Sequence, residues 1–578
     1  MSNTIDSLNT IRINQNGYSV LLPKYIAVLE EKPVYLYDTN DNLISEYQYP
    51  GLTYDEASGD NVYMIDLGDI PIGKYTLKCG GSSAGITVSD KPFEVLVNSL
   101  IKGLYYQRCG CELESRHAGI FTHKACHTAP AAVWEDRSQK KLVTGGWHDA
   151  GDYGKYVSPG AVTVGHMLYA YLLFADGCSD DVNIPETGNG TPDILNEARY
   201  ELEWILKMQR EDGAFYHKLT KDHFAPFIMP EDDTDPEYLI APSHCATADA
   251  VAVLALASRI YKKFDPGFSY RTLKSALMGS EWLVANQNFK PYINPEGVMT
   301  GPYGDVNVID ELFWACCELF ATTGEKAYLS EAERLFINAK DMDNDTTGNC
   351  LFKEMLKKQK TAAEEFRKRF PHWNIPKISG LNTTEFGWAD VSGLGALCCL
   401  FCLKENAGPI LYGDLKKDFL ERSEKALSCV NESRYRTALA VEDYVWGSML
   451  NVMNKAMTMT VDYLLTGNED MRNGALSQID YALGLNALDL SFVTGIGTRS
   501  VQNPHHRPSG ADGIKAPVPG FVVGGPNNKW TYPETKERLK NTPAAKYYID
   551  ETQFADMNEV AIYWNSPMIF VAAFFNTI

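Results

Sequence analysis

The hydrophobic period of the chain changes near Asn98, and one layer of secondary structure cannot serve both halves. From Thr10 to about Val97, apolar residues alternate in short runs such as TIRINQ, KYIAVLE, PVYLYDT, NVYMIDLG and GITVS, broken by Gly, Pro, Asn or Asp. Alternation with that punctuation marks half-buried antiparallel strands, and several at regular spacing predict a small immunoglobulin-like β-sandwich. Beyond Asn98 apolar residues recur at three-and-four spacing, as in 246–262 (ATADAVAVLALASRIYK), 310–323 (DELFWACCELFATT) and 390–403 (DVSGLGALCCLFCL). That is the spacing of amphipathic helices. About ten or more helices with no strands between them fit an all-α barrel of hairpins better than a bundle. No fixed repeat period marks a solenoid. The reading is therefore multidomain, with residues 1–97 as the sandwich and 98–578 as the helical part.

Charge and thiols narrow the partners. Lys plus Arg total 53 against 74 Asp plus Glu, a net charge of −21, and so acidic a surface repels phosphate backbones and anionic lipid. Nucleic acid and membrane surfaces are excluded as partners. The 32 Tyr and 10 Trp supply flat apolar faces for a neutral ligand such as a sugar, or simply pack a core. Thirteen cysteines are an odd count, which favours buried or metal-binding thiols over a pure disulfide framework. The N-terminus MSNTIDSLNTIRINQNGYS has neither the basic nor the apolar region of a signal peptide. That implies a cytoplasmic protein as written, or an extracellular one if Met1 was added to a mature chain.

Three stretches carry candidate chemistry. In GGWHDAGDYGKY, Asp149 and Asp152 are separated only by Ala and Gly, so in a turn both carboxylates can share one side and hold a water. The alternative is a helix cap beside a surface acid. Glu559 stands where a polar acidic segment passes into the apolar run VAIYWNSPMIFVAAFF. Desolvation there raises a carboxyl pKa and keeps a general acid protonated, though Glu559 is equally placed to meet a helix dipole. His505 and Arg507 lie in NPHHRP, at the start of a stretch from Asn503 to Thr552 with seven prolines and five glycines, and a loop of that length is usually functional or disordered. Separately, Cys109, Cys126, His127 and His148 are two thiols and two imidazoles, the ligand chemistry of a structural zinc. Cys111, His117 and His123 compete for the same role.

Together GGWHDAGDYGKY, LGLNALDLSFVTGIGTRSVQNPHHR and YIDETQFADMNEVA, in that order and spacing, resemble glycoside hydrolase family nine, the inverting cellulases. NGTPDILNEARYELEWILKMQ and YGDVNVIDELFWA are similar to the same family. The β-rich segment resembles the immunoglobulin-like module of the endoglucanase D branch. The resemblance implies a barrel of six α/α hairpins with an open cleft. It implies Asp152 as general base, Asp149 as holder of the same water and Glu559 as general acid. It implies His505 and Arg507 as sugar-binding residues, and Trp564 as a further contact where the family often has Tyr. A structural zinc on Cys109, Cys126, His127 and His148 is implied, and a calcium held by the carbonyls of Val306 and Asn307 and the carboxylates of Asp310, Glu311 and Asp390. An acidic helix N-terminus is the other account of Asp310 and Glu311. The expected substrate is a cellulose-like or mixed-linkage β-1,4-glucan cut internally by a monomer. The alternatives are an exo-acting relative that releases single glucose or glucosamine units, and a non-catalytic carbohydrate-binding protein.

Overall fold

In the computed structural model of the chain, residues 9–578 are described except 306, 344–367, 369–380 and 530. The N-terminal strands form two sheets. One has four strands, in which Tyr25–Val28 pairs antiparallel with Asn61–Asp66. The other has five, centred on the antiparallel pair Gly73–Cys79 and Ser82–Ser89. Alternate residues turn inward, and Ile11, Ile26, Val28, Val34, Leu36, Leu77 and Val88 fill the space between the sheets as a core of their own. This is the sandwich that the alternation predicts.

The barrel that follows is built from twelve of the helices among the described residues, alternating between an outer and an inner position. They are α1 (Glu94–Tyr106), α2 (Val157–Phe174), α3 (Asp193–Lys207), α4 (His244–Tyr261), α5 (Pro266–Ala285) and α6 (Ile309–Thr323). After these come α7 (Lys326–Asp343), α8 (Ser392–Leu397), α9 (Leu415–Glu432), α10 (Ser448–Thr466), α11 (Glu469–Ala482) and α12 (Ile562–Phe575). Neighbouring even-numbered helices pack on one another: α2 on α4, α4 on α6, α6 on α8, α10 on α12, and α12 back on α2. Outer helices cover them, with α1 on α12, α3 on α2, α5 on α4, α7 on α6 and α11 on α10. The inner helices are largely enclosed, and α12 is buried along its whole length, as a helix apolar on all sides must be. The window from Val157 to Gly177 is long and apolar enough to cross a membrane, yet 83% of it is buried inside the protein.

The helical part is not free of strands, contrary to the periodicity reading. Five short strands, Ala131–Val133, Lys140–Lys141, Lys155–Tyr156, Tyr216–Thr220 and Tyr238–Pro242, form one sheet. Strands of two to five residues are too short to leave a periodic signature. Their effect is local: Lys155–Tyr156 pairs with Tyr216–Thr220 directly after Asp152, so the sheet anchors the GGWHDAGDYGKY segment.

The sandwich is fastened to the barrel by polar contacts. Asn14 Nδ2 donates to Asp480 Oδ1 at 2.7 Å, and Gln15 N donates to the carbonyl of Leu483 at 2.9 Å. Asp60 accepts from the Tyr435 hydroxyl at 2.7 Å and pairs with Lys546 Nζ at 2.5 Å. The Ala545 amide donates to the carbonyl of Ala57 at 2.8 Å.

Candidate active site

The three sequence blocks meet backbone to backbone. The Asp149 amide donates to the carbonyl of Gly154 at 2.9 Å, and Asp152 Oδ2 accepts from the Gly154 amide at 2.9 Å, which closes the loop between the two acids. The carbonyl of Asp149 accepts from the amide of Ile562 at 2.8 Å, and Ala150 bridges Ala561. The acid-bearing C-terminal block therefore lies against the double-aspartate loop. His505 donates its amide to the carbonyl of Asn558 at 2.7 Å and forms a parallel bridge with Glu559. Gly151 allows this approach: a Cβ there would lie 1.8 Å from the carbonyl oxygen of His505.

Electrostatics separate the carboxyls. Glu559 is half-buried, and its pKa is pushed up to about 8, first by burial and then by the charge of Asp152. Trp446 opposes this by donating its indole N–H to Glu559 Oε2 at 2.9 Å. Asp149 is fully buried, and burial followed by Asp152 and Glu559 raises its pKa well above the carboxylate range, against the opposing Tyr303 hydroxyl, which donates to Oδ2 at 2.5 Å. Asp152 is also buried and lines a pocket with Phe224, Ala225 and Thr300. Lys218 is buried nearby, donating to Asn294 Oδ1 at 2.8 Å and to the carbonyl of Gly301 at 2.7 Å, within electrostatic reach of Asp152. The site thus brings three carboxyls together, of which Glu559 and Asp149 are pushed toward the protonated form, and carboxyls in differing environments are what acid and base catalysis across a sugar uses.

The other sequence candidates divide. Arg507 donates from Nη1 to the carbonyl of Gly151 and from Nε to that of Ala225, both at 2.8 Å, so it ties the aspartate loop to the segment after strand Tyr216–Thr220. His505 Nδ1 meets the carbonyl of Thr552 at 2.6 Å, with its ring edge-on to Phe227. Trp564 is only 2% exposed. Its ring packs against Gly447 and Gly524, which leaves little of its surface for a sugar. Three aromatic residues near the carboxyls escaped the sequence reading. Tyr303 holds Asp149, Trp446 holds Glu559, and Trp388 packs edge-on against Tyr303 with centroids 5.0 Å apart.

Two groups of side chains fit metal ions. The ligand atoms of Cys109, Cys126, His127 and His148 all lie within 4.8 Å of one another. His127 Nε2 meets Asp233 Oδ2 at 3.2 Å, while its buried Nδ1 has no hydrogen-bond partner. A ligating histidine with an outer carboxylate has that arrangement. His148 is pushed down to about 4 by burial and is neutral; against burial, the Cys109 thiol falls well below its usual value because Cys126, Lys155 and His148 together favour the thiolate. Cys111, His117 and His123 are not in this group. The second group is Asp305, Asp310 and Glu311. Burial and then the charge of Asp305 push Asp310 up to about 8, burial and then the charges of Asp310 and Asp305 raise Glu311 well above the usual carboxylate range, and among the described residues Asp310 Oδ1 and both Glu311 oxygens meet no hydrogen-bond donor. Asp305, unforeseen as a ligand, completes this group. Asp390 feels the charge of Asp310 but its Oδ1 accepts from the Ser392 amide at 3.0 Å and from the Ser392 hydroxyl. Asn307 donates its amide to Asp305 Oδ1 at 2.7 Å, and Val306 lies outside the described residues.

A helical barrel that gathers an aspartate pair and a glutamate of raised pKa among aromatic side chains has the arrangement of a glycoside hydrolase, here with an immunoglobulin-like module at its N-terminus. Comparison with known proteins bears this out. Residues 93–572 match glycosyl hydrolase family 9 and residues 6–84 match the cellulase N-terminal ig-like domain, and the chain belongs to that hydrolase family. It is 33% identical to a cellodextrinase of Butyrivibrio fibrisolvens, over 97% of this chain and 99% of the relative. It is 31% identical to endoglucanase D of Acetivibrio thermocellus, over 90% of this chain and 76% of the relative. Its fold superposes on a single mutant of a thermostable endoglucanase from Alicyclobacillus acidocaldarius with a TM-score of 0.85 and 30% identity, covering 99% of this chain and 100% of the other.

Proposed function

We propose that the protein is an endo-acting, inverting hydrolase of β-1,4-glucosidic bonds in cellulose-like or mixed-linkage glucans. Glu559 protonates the leaving glycosidic oxygen, Asp152 takes a proton from the attacking water, and Asp149, fixed by Tyr303, orients that water. The observation that carries this reading is the convergence of the three sequence blocks: the Asp149 carbonyl accepts from the Ile562 amide and His505 bridges Glu559, which brings Glu559 within electrostatic reach of Asp152 and raises its pKa. A carboxyl that stays protonated beside an ionisable partner is what one-step inversion needs. The sandwich gives way to the catalytic domain close to the expected break between residues 97 and 98, with α1 from Glu94 as the first barrel helix, and the protein acts as a monomer. Cys109, Cys126, His127 and His148 hold zinc, which when bound pins the loop that carries Asp149 without touching substrate. Asp305, Asp310 and Glu311 hold calcium. The similarity to endoglucanases and to a cellodextrinase supports soluble cello-oligosaccharides beside polymer as substrates.

Proton NMR of cellopentaose hydrolysis tests the assignment, with the α-anomer appearing first at the new reducing end. A carboxymethylcellulose solution should lose viscosity faster than it gains reducing ends. A β-anomer as first product rejects the inverting mechanism, and release of monosaccharide alone from every chain length rejects endo action.

A further inference from the structure

Strand Tyr216–Thr220 carries a fully buried lysine, Lys218, and lysine is almost never enclosed without a partner. Its Nζ meets only oxygens of the segment 294–301 among the described residues: Asn294 Oδ1 at 2.8 Å, the Gly301 carbonyl at 2.7 Å, Thr300 Oγ1 at 3.2 Å and, more distantly, the Thr300 carbonyl at 3.5 Å. The Asn294 amide is fixed with its oxygen toward Lys218, because its Nδ2 donates to the carbonyls of Thr300 and Val298 at 2.7 and 3.2 Å. Such a cradle of acceptors suits an ammonium, whose three protons all donate, and leaves the lone pair of a neutral amine without a donor. Burial pushes the pKa of Lys218 down and the charge of Asp152 opposes this; the cradle favours the charged form.

The backbone sets this charge beside the aspartate loop. Lys218 pairs with Tyr156 in antiparallel register, directly after that loop, and its Nζ lies 5.4 Å from the centroid of the Tyr156 ring. Asp152 acts electrostatically on Asp149 and Glu559, two acids that crowd it, and on Tyr156 and His505. Glu237 is a further acid on its pocket wall. Burial keeps Tyr153 and Tyr156 un-ionised and pushes His505 toward its neutral form. The other cations nearby are committed: Lys221 and His127 to Asp233, His223 to Asp222, and Lys155 to the Cys109 thiol. Arg507 donates to the carbonyls of Gly151 and Ala225, and its charge acts on Glu559. Lys218 is thus a cation within reach of Asp152 that no carboxylate claims among the described residues.

We propose that Lys218 is a positioning residue of the reaction: its buried ammonium offsets the negative charge gathered around Asp152 and keeps that carboxylate ready to take a proton from water while Glu559 still holds its own. This rests on the reading of Asp152 as general base. Lys218 acts through Asp152 and does not touch the sugar, and a buried charge is little screened by salt, so its effect persists at high ionic strength.

The test is the pH profile of kcat/KM on cellotetraose. Lys218→Met keeps the length of the side chain without its charge. Loss of a cation lets a neighbouring carboxylate take its proton at higher pH, so the acidic limb should move up by about one unit, which lowers kcat/KM about tenfold at the acid end, with KM at the optimum unchanged. Lys218→Gln, which keeps a donor but no charge, should move the limb the same way and serves where the methionine variant does not fold. Asn294→Ala removes one acceptor and leaves the ammonium, so it should lower the melting temperature and leave the limb in place. Lys274→Met, at an exposed site on α5, is the control for loss of a surface charge and should match wild type. A limb that stays put in the Lys218 variants, or that moves equally in Asn294→Ala, overturns the proposal, because Lys218 is then only an anchor of the segment 294–301. Failure of both Lys218 variants to fold while Asn294→Ala folds does the same. An Asp152→Asn variant that keeps its turnover and its acidic limb would sink the base assignment instead.

Discussion

Replacing Glu559 by Gln removes a proton donor while keeping its shape, and the structure says how much that donor is worth. With a pKa of about 8, roughly nine tenths of the enzyme carries the proton at pH 7, whereas a carboxyl at the ordinary glutamate value of about 4.3 would be protonated in only about one molecule in 500. Burial and the Asp152 charge therefore supply a factor of several hundred in available acid. Glu559→Gln should lower kcat on cellotetraose by about 10²–10⁴. A dinitrophenyl cellobioside leaves without protonation, so its hydrolysis should fall far less. The wild-type profile of kcat/KM should decline as pH rises through about 8, and that alkaline limb should vanish in the variant. Trp446→Phe removes a hydrogen bond that favours the ionised form, so it should move the limb to higher pH. Stability carries the same signature: a raised carboxyl pKa gives stability that is full below the unfolded value and lost as pH rises through the folded one. Melting temperatures of wild type and Glu559→Gln should therefore diverge between pH 5 and 8, with the variant ahead at the alkaline end. Equal rate losses on the activated and natural substrates, or an alkaline limb that persists in Glu559→Gln, would refute the acid assignment.

Elemental analysis should find about one zinc per chain in wild type and none in Cys109→Ser, with a lowered melting temperature, since a structural zinc contributes folding free energy directly. Added calcium should raise the melting temperature of wild type and leave Glu311→Gln unmoved, because only a ligand bound to the native state shifts the equilibrium. Asp60→Ala should cost about 1–3 kcal/mol in denaturant titration, the penalty for leaving the buried Tyr435 hydroxyl and Lys546 without an acceptor. A loss within the range of an ordinary surface substitution, about 0.5 kcal/mol, would show that the sandwich contact is incidental.

What could be read before folding follows contiguity. Asp149, Asp152 and Glu559 stand in short unbroken motifs, and His148, one of the candidate metal-binding residues, adjoins the first of them, so each was visible as a group. Tyr303 and Trp446 could not be, because they reach the acids across 154 and 113 residues of chain from loops between different hairpins. Asp305 was present in the same YGDVNVIDE stretch as Asp310, and nothing short of the folded loop says which acids converge. The burial of Trp564, five positions after Glu559, was not legible either, because it depends on Gly447 and Gly524, distant in the chain, leaving room for the indole. The change of period at Asn98 marked where strands give way to helices, but the five-strand sheet was too short-stranded to register.

The contacts of Asp60 and Ala57 with residues 545 and 546 have a bearing on how such enzymes are recombined. From Lys546 the chain runs within two residues to Tyr548, whose hydroxyl donates to Asn558 Oδ1 at 2.5 Å, next to Glu559. The N-terminal module thus grips the stem of the segment that bears Glu559. Swapping modules between relatives at the linker alone would leave that stem facing a foreign surface. The transplantable unit is the sandwich together with residues 543–558, and chimeras cut elsewhere would be expected to fold and yet lose turnover.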